Sequence, residues 1–112
     1  MSEIMNVPFD YKGWCFEWDS EKDAANIKRH GIGFKRAAKS FRDDEDYKIV
    51  PDYKHSNIEE RWVNLSLNQG SLLAVCVSWR ETQTGKTIYR IISAHKISAK
   101  RVSKHLKRLE KR

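Results

Sequence analysis

Residues 61–97, RWVNLSLNQGSLLAVCVSWRETQTGKTIYRIISAHKI, decide the fold. Val63, Leu65 and Leu67 alternate with polar neighbours across Arg61 to Leu67, the period-two mark of a strand with one buried face. Leu72 to Trp79 is apolar on both parities, as in a central strand covered on both sides. Thr87 to Ala94 is the third run, and Asn68-Gln69-Gly70 and Glu81 to Lys86 are hairpin-length connections. These three strands are therefore expected to form an antiparallel meander.

Working outward, Tyr47 to Val50, ended by Pro51, supplies a fourth strand, and Cys15 to Trp18 is a further short candidate. Asp19 or Ser20 can cap a helix over Glu21 to His30, with acids in its first turn, Lys28, Arg29 and His30 in its last, and Gly31 just beyond. Phe34, Ala37, Ala38 and Phe41 form an apolar stripe of helical period, so a second helix begins near Phe34 and stops at the acidic run Asp43 to Asp46. Downstream, Ser98 caps a last helix with Val102, His105, Leu106 and Leu109 on one face. The expectation is an α+β domain: two N-terminal helices, a mostly antiparallel four-stranded sheet and a C-terminal helix.

A chain of 112 residues is the size of one domain. Its charge is uneven. Residues 86–112 hold ten Lys and Arg against one acid, Glu110, and carry +9, whereas the preceding 85 residues sum to −2. Such a basic segment is the footprint of contact with a polyanion; the plain alternative is a solvated helix face with a basic tail. The first fourteen residues mix Glu3, Asp10 and Lys12 with no apolar segment, so a cytoplasmic protein is expected. The longest apolar run, Leu72 to Trp79, is far shorter than the roughly 20 residues of a membrane span. Cys15 and Cys76 sit in apolar stretches and read as reduced core residues, and no zinc spacing is present, so neither a metal nor another cofactor is expected.

No P-loop, Rossmann glycine pattern, His-Glu-x-x-His or nucleophile elbow occurs. Histidines and arginines scattered among strands remain. Cleavage of RNA by its own 2′-OH needs a proton acceptor, a proton donor and cations for the phosphorane charge. Of the four histidines, His30 reads as a helix C-terminal cation and His105 as packed against the sheet, which leaves His55, in the loop Pro51 to Glu60, and His95, beside Lys96. Arg61 and Arg90 lie in strands, where a charge is paired or faces a groove, and their planar forks suit phosphate oxygens. An unbroken strand would put Arg90 and His95 on opposite faces. Trp62, Trp79 and Tyr89 are near these arginines and could stack on bases, although a strand aromatic is more often core.

Phe16-Glu17-Trp18-Asp19, Lys22, Asn26, Arg29-His30-Gly31, Phe34 and Ala37-Ala38 resemble the opening of the BrnT toxins. Asp52, His55, Glu60-Arg61-Trp62 and Arg90-Ile91-Ile92-Ser93-Ala94 extend the resemblance over residues 15–97, leaving 1–14 as an N-terminal extension and 98–112 as a basic C-terminal segment of one toxin domain. The resemblance implies a RelE-like fold, a metal-independent endoribonuclease that arrests translation by cutting RNA, free or on the ribosome, and a BrnA-type antitoxin through which operator DNA is bound. Carried over by motif, His55, Arg61 and Arg90 are candidate catalytic residues, joined by His95, which stands where the family usually has Arg. Lys54, Lys96, Lys100, Arg101 and Lys104 are candidate RNA contacts; in the last helix Lys100, Arg101, Lys104, Lys107 and Arg108 replace the family's usual acidic stretch. A rival reading is a catalytically silent module acting only in a repressor complex on DNA. A host-factor-binding protein with no nucleic-acid role ranks last, because of the +9 segment.

Overall fold

The computed structural model describes residues 5–43, 46–51, 61–98 and 100–101. Its elements in chain order are β1 (Asn6–Tyr11), β2 (Trp14–Asp19), α1 (Ser20–His30), α2 (Phe34–Asp43), β3 (Asp46–Pro51), β4 (Arg61–Asn68), β5 (Ser71–Glu81) and β6 (Thr87–Ile97). One mixed sheet runs in the order β1-β2-β6-β5-β4-β3. Neighbours are antiparallel except β2 and β6, which run parallel through Cys15↔Ile88, Phe16↔Tyr89 and Glu17↔Arg90.

Local chemistry sets the connections. The β1–β2 turn places Lys12 and Gly13 at φ 48° and 81°, and the β4–β5 turn places Gln69 and Gly70 at φ 49° and 80°. Two successive positive φ values match the right-handed twist of the flanking strands in a two-residue hairpin. Asp19 caps α1 by accepting the Glu21 N–H at 2.8 Å, and Gly31, at φ 72°, ends it by donating its N–H to the Ile27 carbonyl at 2.7 Å. From α2, Phe34, Ala37, Ala38 and Phe41 are buried against Phe16, Trp18, Leu73, Val75, Val77, Ile91 and Ala94 on one face of the sheet.

Three expectations are corrected. The sheet has six strands rather than four, because residues 6–11 are a strand and not an extension, and Trp14–Asp19 joins them to the meander. Pro8 obscures β1, yet an edge strand tolerates its missing N–H. The sheet is also mixed: β2 precedes both helices and meets β6 in parallel, a pairing between distant segments that hairpin signals do not report. Finally, the described residues contain two helices, and the C-terminal helix expected from Ser98 is not one of them. There the Arg101 N–H donates to Ser98 Oγ at 3.2 Å, and residues 102–112 lie outside the described part.

Candidate functional site

Residues paired across a ladder share a sheet face, so the register assembles the site. Arg61 on β4 stands opposite Ser78 on β5, Ser78 opposite Arg90 on β6, and Arg90 beside Glu17 on β2. This row lies on the face opposite α2, because Phe16, Val77 and Ile91, the neighbours one position along, belong to the helix-covered core. With strands about 4.8 Å apart, the backbones of Arg61 and Arg90 are roughly 10 Å apart, with the small Ser78 between them.

Glu17 organises one end of the row. Its carboxylate is almost fully buried and accepts from Arg90 Nη1 on Oε2 at 2.5 Å and from Arg80 Nη2 on Oε1 at 2.8 Å. A buried carboxylate requires such partners, since isolating it from water is costly. Arg90 also donates to Asn6 Oδ1 at 2.9 Å. Two guanidiniums on one carboxylate leave a net positive charge, and the Arg80 and Arg90 side chains remain 59% and 35% exposed. The result is an anchored cationic edge facing solvent, suited to phosphate oxygens.

His95 takes a different place. Between Cys76↔Ser93 and Val77↔Ile91 the ladder shifts by one residue, so Ile92 is a bulge. The extra residue restores parity: Arg90 opposes Ser78 and His95 opposes Ala74, which puts both on the same face. Four ladder positions still separate them, about 13 Å along the strand. His95 packs beside His30, with ring centroids 5.5 Å apart. Burial, then the neighbouring His30 and Arg101, lower its pKa below the ordinary 6.5, so the ring favours its neutral form. Nearby, Lys22, Asn26, Arg29, His30 and Ser93 line a small depression of about 180 Å³.

Among the other expected contacts, Lys96, Lys100 and Arg101 are exposed, and His55, Lys54 and Lys104 lie outside the described residues. Trp62 and Tyr89 pack against the hydrophobic core, and Tyr89 stacks on Trp14 at 4.6 Å. Trp79 is exposed, but it pairs with Tyr89 and so faces away from the arginine row. Glu17, Arg80 and Asn6 were given no role in the sequence reading. A charge inside the aromatic run Phe16-Glu17-Trp18 was the available signal for the first; Arg80 falls between the strand expected to end at Trp79 and the connection expected to begin at Glu81, whereas β5 continues to Glu81.

Among the described residues, no group of three His, Cys, Asp or Glu side chains is placed to hold a metal ion, and no helix is long and apolar enough to cross a membrane. No curated protein matches the chain. Residues 18–101 match the family described as the ribonuclease toxin, BrnT, of type II toxin-antitoxin systems. That match spans both helices and strands β3 to β6, with Arg61, Ser78 and Arg90, and begins one residue after Glu17; the chain belongs to the BrnT family of ribonuclease toxins.

Proposed function

We propose that this chain is an endoribonuclease that cleaves RNA by internal attack of a 2′-OH on the adjacent phosphorus, with Arg61 and Arg90 meeting the charge of the phosphorane. The observation that carries this reading is the cross-strand row Arg61–Ser78–Arg90, braced by Glu17. In the reaction the 2′-oxygen bonds to phosphorus, the 5′-oxygen leaves with a proton, and a 2′,3′-cyclic phosphate remains. Fixed guanidiniums stabilise the added charge without reorganising, so no metal ion is needed for that step. Glu17 is a positioning residue: both its oxygens are engaged, and it holds Arg90 in place. His55, carried over by motif, is the proton carrier in this reading, since His95 stands about 13 Å along the sheet from Arg90. Lys54, Lys96, Lys100, Arg101 and Lys104 are proposed backbone contacts. In the cytoplasm such cleavage, free or on the ribosome, arrests translation until a BrnA-type antitoxin covers the toxin, and the complex reaches operator DNA through the antitoxin.

The test is induction of the chain alone in a bacterial host, followed by growth and total-RNA measurements. Arg90→Ala would leave Glu17 with Arg80 alone, so the better variant pairs Arg90→Gln with Glu17→Gln, which keeps a neutral contact and removes the cation. The parent is expected to arrest growth and fragment RNA, and Arg61→Gln and the double variant to do neither while remaining folded. Variants as toxic as the parent would refute the site. Normal growth and intact RNA with folded parent protein would instead favour the silent repressor-complex module.

A further inference from the structure

A second cationic surface lies on the opposite side of the sheet. Helix α2 presents Lys35, Arg36, Lys39 and Arg42 outside its apolar stripe, and three of them lie along aromatic rings of the β1–β2 hairpin. Lys35 Nζ is 5.6 Å from the Phe9 ring centroid, Lys39 Nζ is 5.6 Å from that of Tyr11, and the Arg42 guanidinium is 4.6 Å from that of Trp14. Lys12, in the hairpin turn, adds a fourth contact at 5.5 Å from Tyr11. Phe9 and Tyr11 stack on each other, and Trp14 is the cross-strand neighbour of Tyr11. On the other flank Arg36 Nε donates to Asn68 Oδ1 at 2.8 Å, beside a depression of about 450 Å³ whose lining includes Lys35, Arg36, Lys39, Asp43, Asn68 and Gln69. Asp43 is itself occupied by Lys12 and the Tyr11 hydroxyl, which hold its carboxyl below the ordinary range.

We infer that this ridge binds the sugar–phosphate backbone of single-stranded RNA at a surface distinct from the arginine row. The identity of the polyanion rests on the ribonuclease reading; the surface itself rests on the contacts above. At 1.5 Å rise per residue, Lys35, Lys39 and Arg42 are spaced about 6 Å and 4.5 Å along the helix, commensurate with successive phosphates. Cation–π contact holds the long stems in place, so a phosphate that binds them orders little that was free before. The ridge is poorly suited to a protein partner. Its rings are covered by the cations, and the exposed large hydrophobic residues of the described chain, Met5, Ile27, Leu67 and Trp79, all lie outside it. Protein interfaces seek such apolar anchors, whereas a nucleic-acid backbone needs only cations.

The probe is a single-stranded 2′-O-methyl RNA of about twenty nucleotides, whose blocked 2′-oxygen cannot attack. Its binding is followed by fluorescence anisotropy over a range of salt. For Lys35→Gln/Lys39→Gln the slope of log affinity against log salt should shrink by about 1.4, two phosphate contacts at ~0.7 each, and affinity at ~0.1 M salt should fall about 25-fold. Lys35→Arg/Lys39→Arg should bind as the parent does, as should Lys28→Gln, an exposed cation in the last turn of α1. An unchanged slope in a folded Gln variant overturns the proposal. So does loss of poly-glutamate binding with RNA affinity retained, which would mark the ridge as a surface for acidic protein. Because this probe cannot be cleaved, its result stands apart from the growth and RNA-fragmentation test of the enzyme.

Discussion

Glu17 ties two cations from different strands to one buried carboxylate, and its chemistry predicts two separable effects. Glu17→Gln keeps the shape but removes the charge, and because Arg80 and Arg90 reach solvent, stability should fall by only about 1–2 kcal/mol in urea denaturation. Arg90 would lose its anchor while staying charged, so kcat for RNA cleavage should drop about tenfold with KM little changed; Glu17→Asp, charged but shorter, should fall between. A KM effect alone would contradict a positioning role. His95 gives a pH signature. Its folded pKa lies below the unfolded value of about 6.5, so the unfolded chain binds more protons as pH falls through that range. Stability should therefore be flat above about pH 7 and decline as pH drops toward and below 6.5, and His95→Asn should flatten the decline. A parent whose stability rises on acidification across that window would contradict the assignment.

At the scale of elements, α1 closes an exposed edge of the sheet. Beyond the short β2 pairing, β6 has no strand on that side among the described residues, and the Asn26 carboxamide substitutes for one: Nδ2 donates to the Ala94 carbonyl at 2.7 Å and to Ile32 O at 2.9 Å, while Oδ1 accepts the Ala94 N–H at 3.3 Å. Asn26→Ala leaves these buried backbone groups unpaired and should cost about 2–4 kcal/mol, with faster hydrogen exchange at the Ala94 amide; retained protection there would show that another group satisfies the edge. The Asn26 partnership spans 68 residues, which explains its absence from a reading by local pattern. What local chemistry dictates was legible: Asp19 and Gly31 bound α1, Gln69-Gly70 turn the meander, and Arg61 and Arg90 stand out as charges within strands. Long-range pairing was not. Glu17 meets Arg90 across 73 residues, and the Ile92 bulge leaves no compositional mark although it decides the face His95 shares.

At the scale of the molecule, the sheet is a wall with different chemistry on each side. Sequence charge sums hid this: the 85 residues that total −2 include the four cations of α2 together with acids such as Glu17, Glu21 and Glu81 that belong to other elements. Both surfaces depend on one apolar layer, in which the fully buried Phe16 touches the rings of Trp14, Phe41 and Tyr89. Phe16 follows Cys15 and precedes Glu17, so the strand that braces Arg90 on one face carries the ring that seats α2 on the other. Phe16→Ala should cost about 3–5 kcal/mol, a large share of the 5–15 kcal/mol typical of a domain, and Phe16→Leu under about 1.5 kcal/mol. If the wall is one cooperative unit, heating Phe16→Ala should abolish binding of the uncleavable RNA and the near-ultraviolet aromatic signal at the same lowered midpoint. Two separate midpoints would mean that the hairpin and α2 form a ridge stable apart from the meander, and that the two faces are not mechanically joined.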